Sequence, residues 1–129
     1  MTPARILLIH GLGESALCFL GLKDALSLRG WEVFVPELPG YGQRRNHPPG
    51  SFDTLVTELA SYLTAPTVVL GHSMGGVLGT ILCVRHQKHV LAFLNVEGNL
   101  SLDDCSFSSI AERQTEIEFL KQGCLLTIP

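Results

Sequence analysis

The segment VVLGHSMGGVLG, residues 68–79, constrains the fold of this chain more than any other part of the sequence. It places Ser73 between two glycines, directly after an apolar β-branched run and directly before small and apolar residues. A strand, a tight turn and a buried helix account for this order, because Gly71 and Gly75 lack side chains and let strand and helix approach closely. We therefore expect a turn that holds the serine hydroxyl exposed at its apex.

The same serine lies within 20 uncharged residues, 65–84, a stretch long enough to cross a membrane. Pro66, Gly71, His72 and Ser73 itself interrupt this stretch. A lipid-exposed helix gains nothing from such interruptions near its middle. The sequence therefore predicts no membrane span and favours a strand and a helix buried in a domain.

The residues before this region predict a strand, a helix and a second strand. Residues 5–10 (RILLIH) form an apolar run that is too short for a helix. Ser15 can cap a helix over residues 16–28, which Gly30 ends. The spacing gives that helix an inner face made of Leu17, Leu20, Ala25 and Leu28. Residues 31–36 (WEVFVP) then read as the second strand.

The later elements continue this alternation. Residues 37–50 are rich in glycine and proline and predict a long loop without a packed pattern. A helix follows Ser51, since apolar residues recur at helical spacing, and Pro66 prevents its continuation. Its apolar residues are Phe52, Leu55, Val56, Leu59 and Leu63. The other predicted elements are strands over 67–71 and 90–96 and helices over 74–86 and 109–123.

Strands that alternate with helices and are apolar on both faces indicate an α/β fold, with a mostly parallel sheet and helices on both faces. In such sheets, functional groups gather outside the carboxyl ends of the strands. Polar residues stand at these ends throughout the chain: His10, Glu37, Ser73 and Glu97. We therefore expect the functional site at this edge of the sheet.

Charge and cysteine content narrow the range of partners. The chain has 9 basic and 12 acidic residues and no basic cluster beyond Arg44 and Arg45, which argues against nucleic acid and anionic lipid. The four cysteines show no metal-ligand spacing. They are Cys18, Cys83, Cys105 and Cys124. We interpret them as free thiols in a reducing compartment and expect a cytoplasmic protein without a bound metal.

Three motifs, in this order, resemble the α/β-hydrolase family. LLIHGLGES resembles the family's third strand and oxyanion loop, VPELPGYGQ its fourth strand and following loop, and GHSMGG its nucleophile elbow. The resemblance implies an incomplete α/β-hydrolase fold, with strands that match the third to sixth of the family. One partial domain is expected over residues 1–129, with a core over 1–100 and the start of a lid over 101–129.

The resemblance also implies roles for individual residues. Ser73 matches the nucleophile, and the backbone N–H groups of Leu12 and Met74 match the oxyanion hole. Serine rather than aspartate at the elbow implies hydrolysis of a small acyl compound, such as an ester or thioester, without a cofactor. Carbon–carbon bond hydrolases and cofactor-free lyases share similar elbows, so the sequence leaves these reactions open.

Glu97 is the candidate acid of a catalytic triad. It follows Ser73 by 24 residues, directly after the strand that matches the family's sixth, where a minority of family members carry the acid. In that role its carboxylate would orient a histidine. The sequence leaves open that Glu97, Asp103 or Asp104 only caps a strand or a turn.

The base of the triad is missing, because no histidine follows Glu97 and the family order is serine, acid, histidine. Five histidines precede Glu97: His10, His47, His72, His86 and His89. Their positions favour structural roles, and His47 in the long loop is a weak candidate for the base. We therefore expect an N-terminal part of a longer hydrolase, or a truncated product, that is inactive alone and self-associates through an exposed sheet edge. A non-catalytic ligand-binding or interaction protein of the same fold is the alternative.

Overall fold

The computed structural model of the protein describes residues 2–101. Strands and α-helices alternate through this part: β1 (Arg5–Ile9), α1 (Leu20–Ser27), β2 (Glu32–Phe34), α2 (Phe52–Ala60), β3 (Thr67–His72), α3 (Met74–Arg85) and β4 (Val90–Val96). Short 3₁₀ helices, Ala16–Phe19 and Gly42–Arg44, precede α1 and α2. The predictions that concern Asp103, Asp104, Cys105, Cys124, the helix over 109–123 and the lid lie outside the described residues.

The strands form one parallel sheet in the order β2-β1-β3-β4, which confirms the predicted fold class. β1 and β3 lie at the centre of the sheet in this part of the chain. Because parallel strands end at the same edge, the residues that follow β1, β3 and β4 come together there. These residues are His10, Ser73 and Glu97.

A hydrophobic core covers each face of the sheet. The larger core lies between the sheet and helices α2 and α3, and its almost fully buried side chains are Leu7, Ile9, Leu38, Val56, Leu59, Val69, Leu78 and Leu82. On the opposite face, Ile6, Leu8 and Phe19 are buried beside Leu26 of α1. Burial of one such side chain stabilises the fold by about 1.5–3 kcal/mol, so the two cores fix the strand ends in space.

The uncharged stretch over residues 65–84 divides into β3 and α3, as the sequence predicts. The helix α3 buries glycines on its inner surface, and an added Cβ on Gly79 would collide with the ring of Phe93. Its 12 residues are too few to span a bilayer. Among the helices of residues 2–101, none is long and apolar enough to cross a membrane.

The predicted inner face of the first helix is wrong. Leu17 and Leu28 are 74% and 89% exposed, whereas Phe19 and Leu26 contact the core. Ser15 caps the segment as predicted, since its hydroxyl accepts a hydrogen bond from the Leu17 N–H. The first turn is a 3₁₀ helix, which has three residues per turn. A face counted at 3.6 residues per turn from residue 16 therefore does not coincide with the face that α1 turns towards the core.

The loop over residues 37–50 is also better packed than its composition predicts. Leu38 is buried in the larger core, and Tyr41 packs against it. Arg44 donates to the carbonyl oxygen of Glu37 at 2.9 Å and pairs with Glu58 of α2. A single apolar residue among glycines and prolines gives no periodic signal, so the sequence does not reveal this anchoring.

β4 is one of the two edge strands of the sheet within residues 2–101, the other being β2, and one face of β4 is largely uncovered. Leu94 and Val96 align with Leu70 and His72 of β3. Their side chains are 47% and 41% exposed. Apolar surface beside a strand edge is a site for pairing with another chain, so the expectation of self-association stands as a prediction.

We expect Leu94→Lys to reduce self-association, because a charged side chain on an edge strand opposes pairing with a second copy. Size-exclusion chromatography with light scattering, at matched protein concentrations, measures the effect. Leu28→Lys is the control, since Leu28 is an exposed leucine at the end of α1 rather than on β4. A wild-type chain that is monomeric and unfolds cooperatively at all concentrations tested would contradict the prediction.

Candidate active site

Ser73 occupies a strained turn between β3 and α3. Its backbone has φ 53° and ψ −120°, a region that side-chain-bearing residues rarely adopt and that costs about 1–3 kcal/mol. Two backbone hydrogen bonds hold the turn: the Ser73 N–H donates to the Val96 oxygen at 2.9 Å, and the Gly76 N–H donates to the Ser73 oxygen at 2.8 Å. The strain is therefore maintained by β4 on one side and by α3 on the other.

Two glycines make this turn possible because they allow backbone to pack directly on backbone. A Cβ added to Gly71 would overlap the carbonyl group of Gly75, and one added to Gly75 would overlap the carbonyl oxygen of Ile9. The start of α3 thus lies against the ends of β1 and β3 with no side chain between them. This contact places Ser73 above the sheet edge, as the motif predicts.

The predicted oxyanion loop lies beside Ser73. A Cβ added to Gly11 would be 2.8 Å from the Ser73 Cβ, so the turn that carries Leu12 adjoins the serine. Within residues 2–101, neither the Leu12 N–H nor the Met74 N–H donates a hydrogen bond. Met74 is the first residue of α3, where the N–H groups are unpaired and the helix dipole is positive. Both groups are chemically suited to bind an anionic oxygen.

His10 supports this loop from below and is not available as a base. Its side chain is fully buried, Nδ1 lies 3.0 Å from the Gly11 oxygen, and Nε2 accepts a hydrogen bond from the Leu38 N–H at 3.1 Å. These partners assign a proton to Nδ1 and make Nε2 the acceptor. The ring therefore joins the end of β1 to the loop after β2.

Glu14 is a site residue that the sequence pattern does not reveal. Its Oε2 accepts a hydrogen bond from the Gly11 N–H at 2.8 Å and lies 2.9 Å from His72 Nδ1. Burial alone would raise the pKa of this carboxyl, but the hydrogen bonds from His72 and Gly11 lower it below its ordinary value. The sequence shows only an acidic residue three positions after Gly11, and this pattern is too common to indicate a role in the site.

Glu97 follows β4 and has a left-handed backbone, with φ 55°. Its Oε2 lies 3.6 Å from His72 Nε2, and its side chain is 84% exposed. The candidate acid therefore does approach a histidine, but that histidine adjoins Ser73 in the chain and is already bound to Glu14. No histidine nitrogen in the described part of the chain hydrogen-bonds to Ser73, and His47 is exposed.

One thiol lies close to this site among the described residues, that of Cys18. Partial burial and the negative charge of Glu14 raise the pKa of the Cys18 thiol to about 11, so it is protonated at neutral pH. Cys18 and Cys83 are free cysteines. In residues 2–101, no group of three or more histidine, cysteine, aspartate or glutamate side chains could hold a metal ion.

The family model for the alpha/beta hydrolase fold matches residues 4–122. The chain belongs to this family. It is 32% identical to lipase LipV of Mycobacterium tuberculosis over an alignment of 105 residues. This alignment covers 78% of the chain and 40% of LipV. It is also 30% identical to a pimeloyl-[acyl-carrier protein] methyl ester esterase of Neisseria meningitidis over 86 residues. That alignment covers 67% of the chain and 33% of the esterase.

Solved structures support the same fold. The structure of Rv0554 from Mycobacterium tuberculosis superposes on this chain with a TM-score of 0.75 at 20% sequence identity. The superposition covers 97% of this chain and 50% of the Rv0554 chain. The alpha/beta hydrolase chain thus spans 33–40% of the two curated relatives and half of this solved structure. The four-stranded parallel sheet is accordingly an incomplete version of the family fold.

We expect Gly75→Ala to lower the free energy of unfolding by about 3 kcal/mol or more, because the added Cβ overlaps the Ile9 oxygen. Gly21→Ala is the matched control. Gly21 lies in α1 with no atom within 4 Å of an added Cβ, so alanine should stabilise by about 0.5–1 kcal/mol. Urea titration measures both variants. Similar effects of the two substitutions would refute the close-packing argument.

The lowered pKa of Glu14 gives a pH dependence with a definite sign. A carboxyl whose pKa is lower in the folded state stabilises the fold above its unfolded pKa, and this contribution is lost as the pH falls through the folded pKa. Wild type should therefore be more stable than Glu14→Gln at pH 7, with the difference shrinking below about pH 4.3. Urea midpoints from pH 7 to pH 3 test this, with Asp24→Asn, which removes an exposed carboxylate of α1, as control. A difference that does not change with pH would count against it.

Proposed function

We propose that this chain is the nucleophile-bearing part of a serine hydrolase that cleaves an ester, thioester or similar small acyl compound. The observation that carries the proposal is the strained backbone of Ser73, held beside two unpaired N–H groups at the carboxyl edge of the sheet. Strain of this kind is maintained where a side chain must be presented in one fixed position. The names of LipV and of the methyl ester esterase, both ester-cleaving enzymes, favour the same chemistry.

In the proposed mechanism, the Ser73 oxygen attacks the acyl carbon of the substrate while a base removes the hydroxyl proton. The carbonyl oxygen becomes an oxyanion, which the N–H groups of Leu12 and Met74 would stabilise. The base then gives its proton to the leaving alcohol or thiol, and water hydrolyses the acyl-enzyme by the same route. Glu97 is the proposed acid that orients the base.

The base itself is proposed to come from a part of the hydrolase that this sequence does not contain. No histidine follows Glu97, and His10 and His72 already hydrogen-bond to other groups. A general base contributes about 10²–10⁴-fold to such a reaction. We accordingly propose that the 129-residue chain is inactive, or nearly so, when it is alone.

Residues 2–101 place no histidine within hydrogen-bond distance of Ser73, and this favours a second candidate function. A protein that keeps the fold and loses the base would bind a ligand at the same edge without turning it over. The two functions differ in one property of the elbow. A hydrolase presents a serine that reacts as soon as a base is supplied, whereas a binding protein has no need of a reactive serine.

Labelling with a fluorophosphonate probe, in the presence and absence of added imidazole, tests this property. In the reaction, the Ser73 oxygen bonds to phosphorus, fluoride leaves, and imidazole accepts the hydroxyl proton. We expect slow labelling of the chain alone and at least about tenfold faster labelling with imidazole, because the added base replaces the missing one. Ser73→Ala should show no labelling under either condition.

Ser27→Ala is the matched control, because it removes a serine of α1 and should label like wild type. Failure of imidazole to accelerate labelling of folded chain would reject the serine-hydrolase proposal and favour the binding protein. Rapid labelling without imidazole would show that the chain supplies its own base and would reject the proposed inactivity.

A further inference from the structure

A single carboxylate oxygen joins the loop after β1 to the last residue of β3. Glu14 Oε2 accepts from the Gly11 N–H at 2.8 Å and lies 2.9 Å from His72 Nδ1. Glu14 also folds the loop on itself, since its own N–H donates to the Gly11 oxygen at 3.3 Å. Gly11 directly precedes Leu12, and His72 directly precedes Ser73.

We propose that Glu14 is a positioning residue, whose carboxylate ties the Gly11 N–H to the His72 ring beside the serine turn and so fixes the following Leu12 N–H where an oxyanion would form. The functional part of this inference rests on the proposed serine hydrolase. The link itself is a structural claim that can be tested without any reaction.

Two side chains restrain the loop directly before Leu12: the His10 ring, whose Nδ1 lies 3.0 Å from the Gly11 oxygen, and the Glu14 carboxylate at the Gly11 N–H. The Leu12 N–H has no acceptor within the described residues, and the Leu12 side chain is 42% exposed. Farther along, the Ala16 N–H donates to Glu37 Oε1 at 2.8 Å. His10, Glu14 and Glu37 therefore hold the loop, and Glu14 is the one whose side chain also reaches His72 beside the serine turn.

A carboxylate is suited to this task because it accepts hydrogen bonds and donates none when ionised. One oxygen can therefore receive both the Gly11 N–H and the His72 Nδ1–H, and the charge strengthens each bond. A negative charge close to an oxyanion site would be unfavourable on its own. The hydrogen bonds from the His72 ring and the Gly11 N–H stabilise this charge, so the ring contributes to the same arrangement.

Several titratable groups face Glu14 from the neighbouring elements. They are His72 of β3, His10 at the end of β1 and Cys18 of the 3₁₀ helix, with Glu97 beyond His72 and Glu37 beyond Cys18. Cys18 Sγ lies 3.9 Å from Glu14 Oε2, so it is a weaker hydrogen-bond partner than the Gly11 N–H and His72 Nδ1. A test of the link must therefore separate the titration of Glu14 from that of these neighbours.

Nuclear magnetic resonance of the isotopically labelled 129-residue chain provides this separation. The amide shifts of Gly11 and Leu12 and the side-chain carboxyl carbon shift of Glu14 are followed from pH 7 to pH 3. We expect these signals to share a transition with a midpoint below a glutamate's ordinary value of about 4.3, because protonation of Glu14 weakens its bond to the Gly11 N–H. The shared midpoint is a signature that a merely nearby residue would not produce.

Two variants and a control complete the test. In Glu14→Gln the shared transition should disappear, and in His72→Ala the Gly11 transition should persist with a higher midpoint, since the hydrogen bond from His72 that lowers the Glu14 pKa is gone. Asp24→Asn should leave the wild-type transition unchanged. If Glu14→Gln does not fold, the wild-type and His72→Ala titrations still decide.

Amide shifts of Gly11 and Leu12 that stay constant from pH 7 to pH 3 would overturn the proposal. A transition that survives in folded Glu14→Gln would do the same. Neither result depends on a reactive serine, so failure of this link is distinguishable from failure of fluorophosphonate labelling, which concerns the proposed function.

Discussion

The site depends on one packing contact, in which the backbone of α3 lies against the ends of β1 and β3 without intervening side chains. Gly71 and Gly75 allow this approach, since a Cβ at either position would overlap backbone atoms. The contact forces a reversal of the chain within one residue, and Ser73 takes the resulting unfavourable backbone conformation. The cores on both faces of the sheet supply the stability that maintains this strain.

Around this contact, side chains at the strand ends bind the backbone of neighbouring loops. His10 joins β1 to the loop after β2, Glu37 binds the Ala16 N–H, and Glu14 binds Gly11 and His72. Each link except the short one from Glu14 to Gly11 runs between segments that are far apart in the sequence. They restrain the strand ends around Ser73 relative to one another, which is the preorganisation that the proposed catalytic site would require.

The sequence predicted the elements with strong local signals. Apolar runs bounded by glycine and proline marked the strands, and the glycines around Ser73 marked the turn. The inner face of α1 was predicted wrongly because a 3₁₀ turn changes the residue spacing. The burial of Leu38 and the role of Glu14 were missed, because each depends on one side chain meeting a distant segment rather than on a periodic pattern.

The sequence alone therefore determined the α/β class, the strand order along the chain and the position of the serine turn, since these follow from local periodicity and backbone restrictions. Tertiary structure decided which side chains surround that serine. It set the sheet order that brings β1 beside β3, placed Gly11 against Ser73, and directed His72 towards Glu14 and Glu97. Contacts of this kind depend on how distant strands align, and single-residue chemistry does not encode that alignment.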